Sequence, residues 1–167
     1  MSRRALSELI RGEGAHADAL ECFRGLTAEQ AGQRPPGFPH SAWQLLGHVN
    51  YWMDYELVRI AGRDVAYPEH ASGSWPADPA PVDGHAWGAA VALFAQLLDE
   101  MSRLAESPED ALRRPVPAAH GSQTRHDATL EGVLWQTIVH NTYHLGQVAL
   151  LRRALGAWPP PGGGDTW

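Results

Sequence analysis

A chain of 167 residues is one domain's worth and can bury one sizeable core. Hydrophobic residues make up 44% and charged ones 19%, a globular balance that excludes a disordered or fibrous chain. The formal charge is −6, and all 13 basic residues are Arg, scattered or paired rather than gathered in a stripe, which argues against nucleic-acid binding. Along the chain, Leu6, Leu9, Ala17, Leu20 and Phe23 recur at three- and four-residue steps and predict a first helix over 3–24, weakened at Gly12 and Gly14. Thr27 with Gln30 reads as a capping box opening a short helical turn, stopped by Pro35 and Pro36. Ser41 with Gln44 forms a second capping box, and Leu45, His48, Val49, Trp52, Leu57 and Ile60 continue one face of a helix over 42–61.

Residues 63–82 carry Pro68, Gly73, Pro76, Pro79 and Pro81 without a sustained period, and read as a long crossing loop. Asp83 caps a third long helix over 83–106, marked by Phe94, Leu97, Leu98, Met101 and Leu104. Pro108, Pro115 and Pro117 bound a further connection, and a last helix runs from Thr129 to Gly156, a glycine placed to terminate it. Four amphipathic helices with no strand pattern predict an all-α, four-helix-bundle domain over 1–167 with long crossing connections. The extended tail 157–167, proline-rich and then glycine-rich, either frays or docks on the bundle or on a neighbouring subunit through Trp167. A polar N-terminal segment, no apolar run of roughly 18 residues and a lone Cys22 predict a soluble cytoplasmic protein without a disulfide or a membrane span.

The chemistry concentrates in histidines. His140 and His144, four residues apart, share one helix face about 6 Å apart along the axis and can chelate one cation. His48 lies between Leu45 and Trp52 on the buried side of the second long helix, so a third imidazole can join them. Unpartnered, three buried neutral imidazoles would cost roughly 1–3 kcal/mol for each unmet donor or acceptor. The alternative is three ordinary hydrogen-bonded core histidines. The residue after His140 is Asn141 and not the Glu of a zincin motif, and no paired Glu-x-x-His elements of a di-iron bundle occur on these helices. His16, His40, His70, His85, His120 and His126 read mainly as surface residues, with His85 and His126 as lesser candidate ligands. Gln147, three residues beyond His144, is placed to hydrogen-bond a ligand imidazole or a substrate, or to cap a buried group. Tyr51 and Tyr55 follow His48 by three and seven residues, either lining a pocket or simply packing, and Cys22 reads as a small core hydrophobe.

These residues resemble the DinB/YfiT-like family. The likeness runs through Leu26 to Gln30, Arg34 to Gly37, His40 and Ser41, Leu45 to His48, His140 to Gln147, Leu150 to Arg153 and Gly156 to Pro159, in order over nearly the whole chain. The resemblance implies a four-helix bundle, commonly a homodimer, holding a divalent ion, typically nickel or zinc, on three histidines. Carried over residue by residue, those ligands are His48, His140 and His144. Better understood relatives are thiol-dependent transferases or isomerases using a low-molecular-weight thiol such as bacillithiol or mycothiol, while others have no known activity. Three neutral ligands leave such an ion its full charge, so an external thiol at the open position would ionise and attack a small electrophile. The competing readings are a metal-dependent hydrolase and a non-catalytic metal-binding stress or interaction protein.

Overall fold

The computed structural model describes residues 3–119, 121 and 128–163. The fold is all-α: α1 (Arg3–Ile10), α2 (Ala28–Gly32), α3 (Ala42–Ile60), α4 (Gly84–Ala105), α5 (Glu109–Leu112) and α6 (Leu130–Ala154), with a 3-10 turn at Ala71–Ser74. Among the longer helices, α1 packs on α4 and α6, and α3 packs on the same two, so α3 and α6 face each other along their lengths. The expected capping boxes are present: Thr27 with Gln30 opens α2, and Ser41 with Gln44 opens α3. Asp83 caps α4 and Thr129 caps α6, each accepting from a backbone N–H three residues on. Gly156 follows α6 in the left-handed region (φ 68), where a side chain would be strained.

The first helix is shorter than its periodicity predicts. It ends at Ile10 instead of continuing to 24, because Gly12 (φ 84) and Gly14 (φ 74) turn the backbone left-handed within one turn of each other. Residues 15–25 nevertheless keep their apolar side chains inside: Ala17, Ala19, Cys22 and Phe23 are buried, with Phe23 edge-on to Trp87 and Phe94. Two carbonyls at the end of this segment that a continuing helix would have used internally are met by Arg152, while Asp18 O and Leu20 O accept from backbone N–H groups three or four residues on. Arg152 is 2% exposed, and its guanidinium donates to Arg24 O at 2.9 Å and Cys22 O at 3.3 Å. A second departure is a two-residue antiparallel pair, β1 (Pro115–Val116) with β2 (Ala128–Thr129), where no strand was expected. Pairs this short leave no period-2 signal to read.

The crossing connection after α3 is ordered by contact with α3 itself. Gln44 Nε2 donates to Pro76 O at 3.2 Å, and the Ser41 hydroxyl donates to Pro79 O. Gly47 makes this approach possible, since a Cβ there would overlap Pro76 Cγ. The tail docks on its own chain as far as it is described: Pro160 is buried, Gly162 N donates to Glu21 Oε2 at 3.0 Å, and the Arg153 guanidinium sits 4.8 Å from the Trp158 ring centre. Trp167, His120 and His126 lie outside the described residues. Among the described residues no helix is long and apolar enough to cross a membrane.

Candidate metal centre

The packing of α3 on α6 brings the three histidines together. His48 projects from the second turn of α3, and His140 and His144 from consecutive turns of α6. Their ring centres are 4.6–5.0 Å apart, and one nitrogen of each lies within 4.8 Å of the other two. His48 Nε2 and His140 Nε2 are 3.1 Å apart. Two imidazole nitrogens bound to one ion at about 2.0–2.1 Å are separated by roughly 3.0–3.4 Å, so the spacing already fits a shared cation. His48 and His144 are buried and His140 is half-buried.

The far nitrogens are tied down. His48 Nδ1 lies 3.0 Å from Ser74 Oγ and 3.3 Å from Ser74 O, while the Ser74 hydroxyl donates to Ala71 O at 2.8 Å. With its own proton committed, Ser74 accepts from His48 Nδ1–H, which leaves the His48 Nε2 lone pair facing the other rings. His144 Nδ1 is 3.4 Å from Gln147 Oε1, an acceptor only, so its proton also sits on Nδ1 and its Nε2 is bare. Hydrogen bonds of this kind fix the tautomer and ring angle of metal-binding histidines. Burial and the neighbouring imidazoles push His48 down to about 4, burial and His144 push His140 down to about 4, and burial lowers His144. All three are neutral at pH 7, with lone pairs to offer. Three neutral nitrogens suit an ion of borderline softness.

The roof of the site comes from outside the helices. Trp75, from the crossing connection, stacks on His48 (3.8 Å between centres, 11°) and on His40 (3.8 Å, 15°), so the indole is sandwiched between two imidazoles. His40 is therefore half-buried rather than a surface residue. The only trace of this roof in the sequence is Gly47 beside His48, the mark of a close backbone approach. His16 is also half-buried, its ring nitrogens near Ala17 O (2.7 Å) and Thr142 Oγ1 (3.2 Å), whereas His70 and His85 are exposed and outside the cluster. Asn141 points inward, 3% exposed, and its amide donates to Met53 Sδ at 3.3 Å, a packing role.

A cavity of about 820 Å³ opens from His140 along the seam between α3 and α6, with Tyr55 in its wall. Tyr51 is half-buried and packs edge-on against Trp52 and parallel to Tyr55, outside that wall. Cys22 is outside the triad cluster and 2% exposed, and burial pushes its thiol up to about 12, so it supplies no thiolate. No curated protein and no solved structure matches the chain. The family model of the DinB superfamily matches residues 12–148, a span containing His48, His140 and His144.

Proposed function

The chain belongs to the DinB superfamily, and on that premise we propose that it is a metal-dependent transferase acting with an external low-molecular-weight thiol. His48, His140 and His144 hold the ion, nickel or zinc. The observation that carries this reading is the convergence of three neutral imidazoles whose other nitrogens, on His48 and His144, are already hydrogen-bonded. An ion so held keeps an uncompensated positive charge, which lowers the pKa of a thiol beside it.

The protein's own contribution is placement. Trp75 and Ser74 fix the His48 ring, Gln147 fixes His144, and the seam cavity beside His140 receives the electrophile away from bulk water. The thiol proton leaves to solvent, a sulfur–carbon bond forms, and the displaced electron pair stays on the electrophile's leaving group or conjugated system. The thiol comes from outside because the chain's single cysteine is buried and protonated. A bacillithiol- or mycothiol-type cosubstrate places the protein in a reducing, cytoplasmic setting.

A homodimer is part of the same proposal. Val139, Tyr143 and Leu150 are 61–67% exposed on one side of α6, an apolar stripe suited to a second copy. Elemental analysis and spectroscopy test the reading. The purified protein is expected to carry stoichiometric metal, and the cobalt-substituted form to change its visible spectrum when thiol is added. A metal-loaded protein whose spectrum responds to neither thiols nor electrophiles would leave the non-catalytic alternative and remove the transferase one.

A further inference from the structure

The far end of the seam cavity holds a charged group that the triad does not explain. Arg59 lies eleven residues beyond His48 on α3, about 16 Å along the axis, with its side chain tilted back toward the N-terminus and into the cavity wall. Its Nε is buried and makes no hydrogen bond among the described residues. The charge partner is Glu56, 6% exposed, whose Oε2 sits 3.4 Å from Arg59 Nε. A charge-assisted hydrogen bond is about 2.7–2.9 Å, so this cation is only partly neutralised. Burial also pushes the Glu56 carboxyl up, because a buried carboxylate can escape its charge by taking a proton. Arginine has no such escape. The walls between Arg59 and His140 are flat and apolar, with Trp52, Tyr67 and Trp135, and the volume is that of a small-molecule site.

We propose that the seam cavity binds a small planar carboxylate, its anionic end on the Arg59 guanidinium and its apolar body between Trp52 and Trp135, with the opposite end at His140. A ligand anion completes the neutralisation that Glu56 leaves unfinished, and the guanidinium fork matches a carboxylate with two parallel hydrogen bonds. A ligand amine would instead lie against a permanent cation. This binding does not require a metal on the triad.

The test is calorimetric titration of the full-length protein, as purified and after chelation, with trans-cinnamate, its neutral amide cinnamamide, and cinnamylamine. Cinnamate is expected to bind saturably and at least about 10-fold more tightly than the amide. Arg59→Gln brings cinnamate down to the level of the amide, and Arg59→Lys falls between. The proposal is overturned by cinnamate that fails to saturate up to about 10 mM, by equal affinity for acid and amide, by a preference for the amine, or by Arg59→Gln with the acid preference intact. Loss of cinnamate binding on chelation would put the carboxylate on the triad and overturn it as well. Should Arg59→Gln not fold, Gln136→Trp fills the cavity from an exposed lining position outside the apolar stripe of α6 and is expected to block cinnamate; unchanged binding in that variant refutes the site. A protein that carries no metal yet binds cinnamate through Arg59 would sink only the transferase reading.

Discussion

Acid titration of the metal-free protein turns the triad's burial into a measurable energy. His48 and His140 lie at about 4 in the folded protein, against an ordinary 6.5. Both folded values are depressed, so the unfolded chain takes up these protons first. The stability that neutral imidazoles allow is complete above about pH 6.5 and is lost as the pH falls toward about 4. At about 1.4 kcal/mol per pH unit, the gap between 6.5 and about 4 is worth roughly 3 kcal/mol for a fully buried histidine. His140 is half-buried and contributes less. Glu56 works in the opposite sense: its raised carboxyl pKa means that falling pH protonates the folded form first and adds stability. The informative quantity is therefore the difference between the parent and His48→Gln. Urea unfolding of chelator-treated protein at pH about 7 and about 5 is expected to show the parent losing about 1–2 kcal/mol more than the variant. Equal losses would refute the claim that His48 is buried neutral beside two other imidazoles.

His48→Ala, His140→Ala and His144→Ala are each expected to lower bound metal well below stoichiometry by elemental analysis, and three variants with parental metal content would dismiss the site. Because its ligands must be neutral and His48 and His140 lie at about 4 in the folded protein, the loaded protein is expected to keep its metal at pH about 6 and release it as the pH falls through about 4, read with a colorimetric chelator; metal retained well below pH about 4 would contradict three-imidazole ligation. Gly47→Ala puts a methyl group into Pro76 and shifts the connection that carries Ser74 and Trp75. Its expected effect is roughly 10-fold weaker metal binding in a chelator competition, with α3 helicity unchanged; parental affinity would show that Trp75 and Ser74 do not orient His48. Arg152→Met leaves Cys22 O and Arg24 O unmet and should cost about 2–4 kcal/mol in urea unfolding. A loss under about 0.5 kcal/mol would mean that water meets those carbonyls equally well.

What could be read in advance follows the range of the forces involved. Capping boxes at Ser41 and Thr27 are local, so the starts of α3 and α2 are legible, and the inward placement of His48 and His144 follows from helical period. The segment 15–25 was not legible, because apolar residues spaced for a helix are equally well buried by turns once Arg152, about 130 residues away, satisfies the carbonyls of Cys22 and Arg24. The place of Trp75 has a similar cause: it sits in a proline-rich connection with no periodicity, and only long-range packing lays it on His48. Glu56 and Arg59 stand three apart on a helix, a spacing common on solvated faces, and nothing local reveals that both are mostly buried.

The contact between His48 and His140 also joins positions 92 residues apart in the chain. A metal ion gripping both would be a reversible cross-link, closing more than half the chain into a loop much as a disulfide would. On chain-entropy grounds a loop of this length restricts the unfolded ensemble by about 5 kcal/mol, subject to metal affinity for the unfolded chain. The ion would thus act as a removable staple, setting the heat tolerance of the protein through metal supply without altering a single helix.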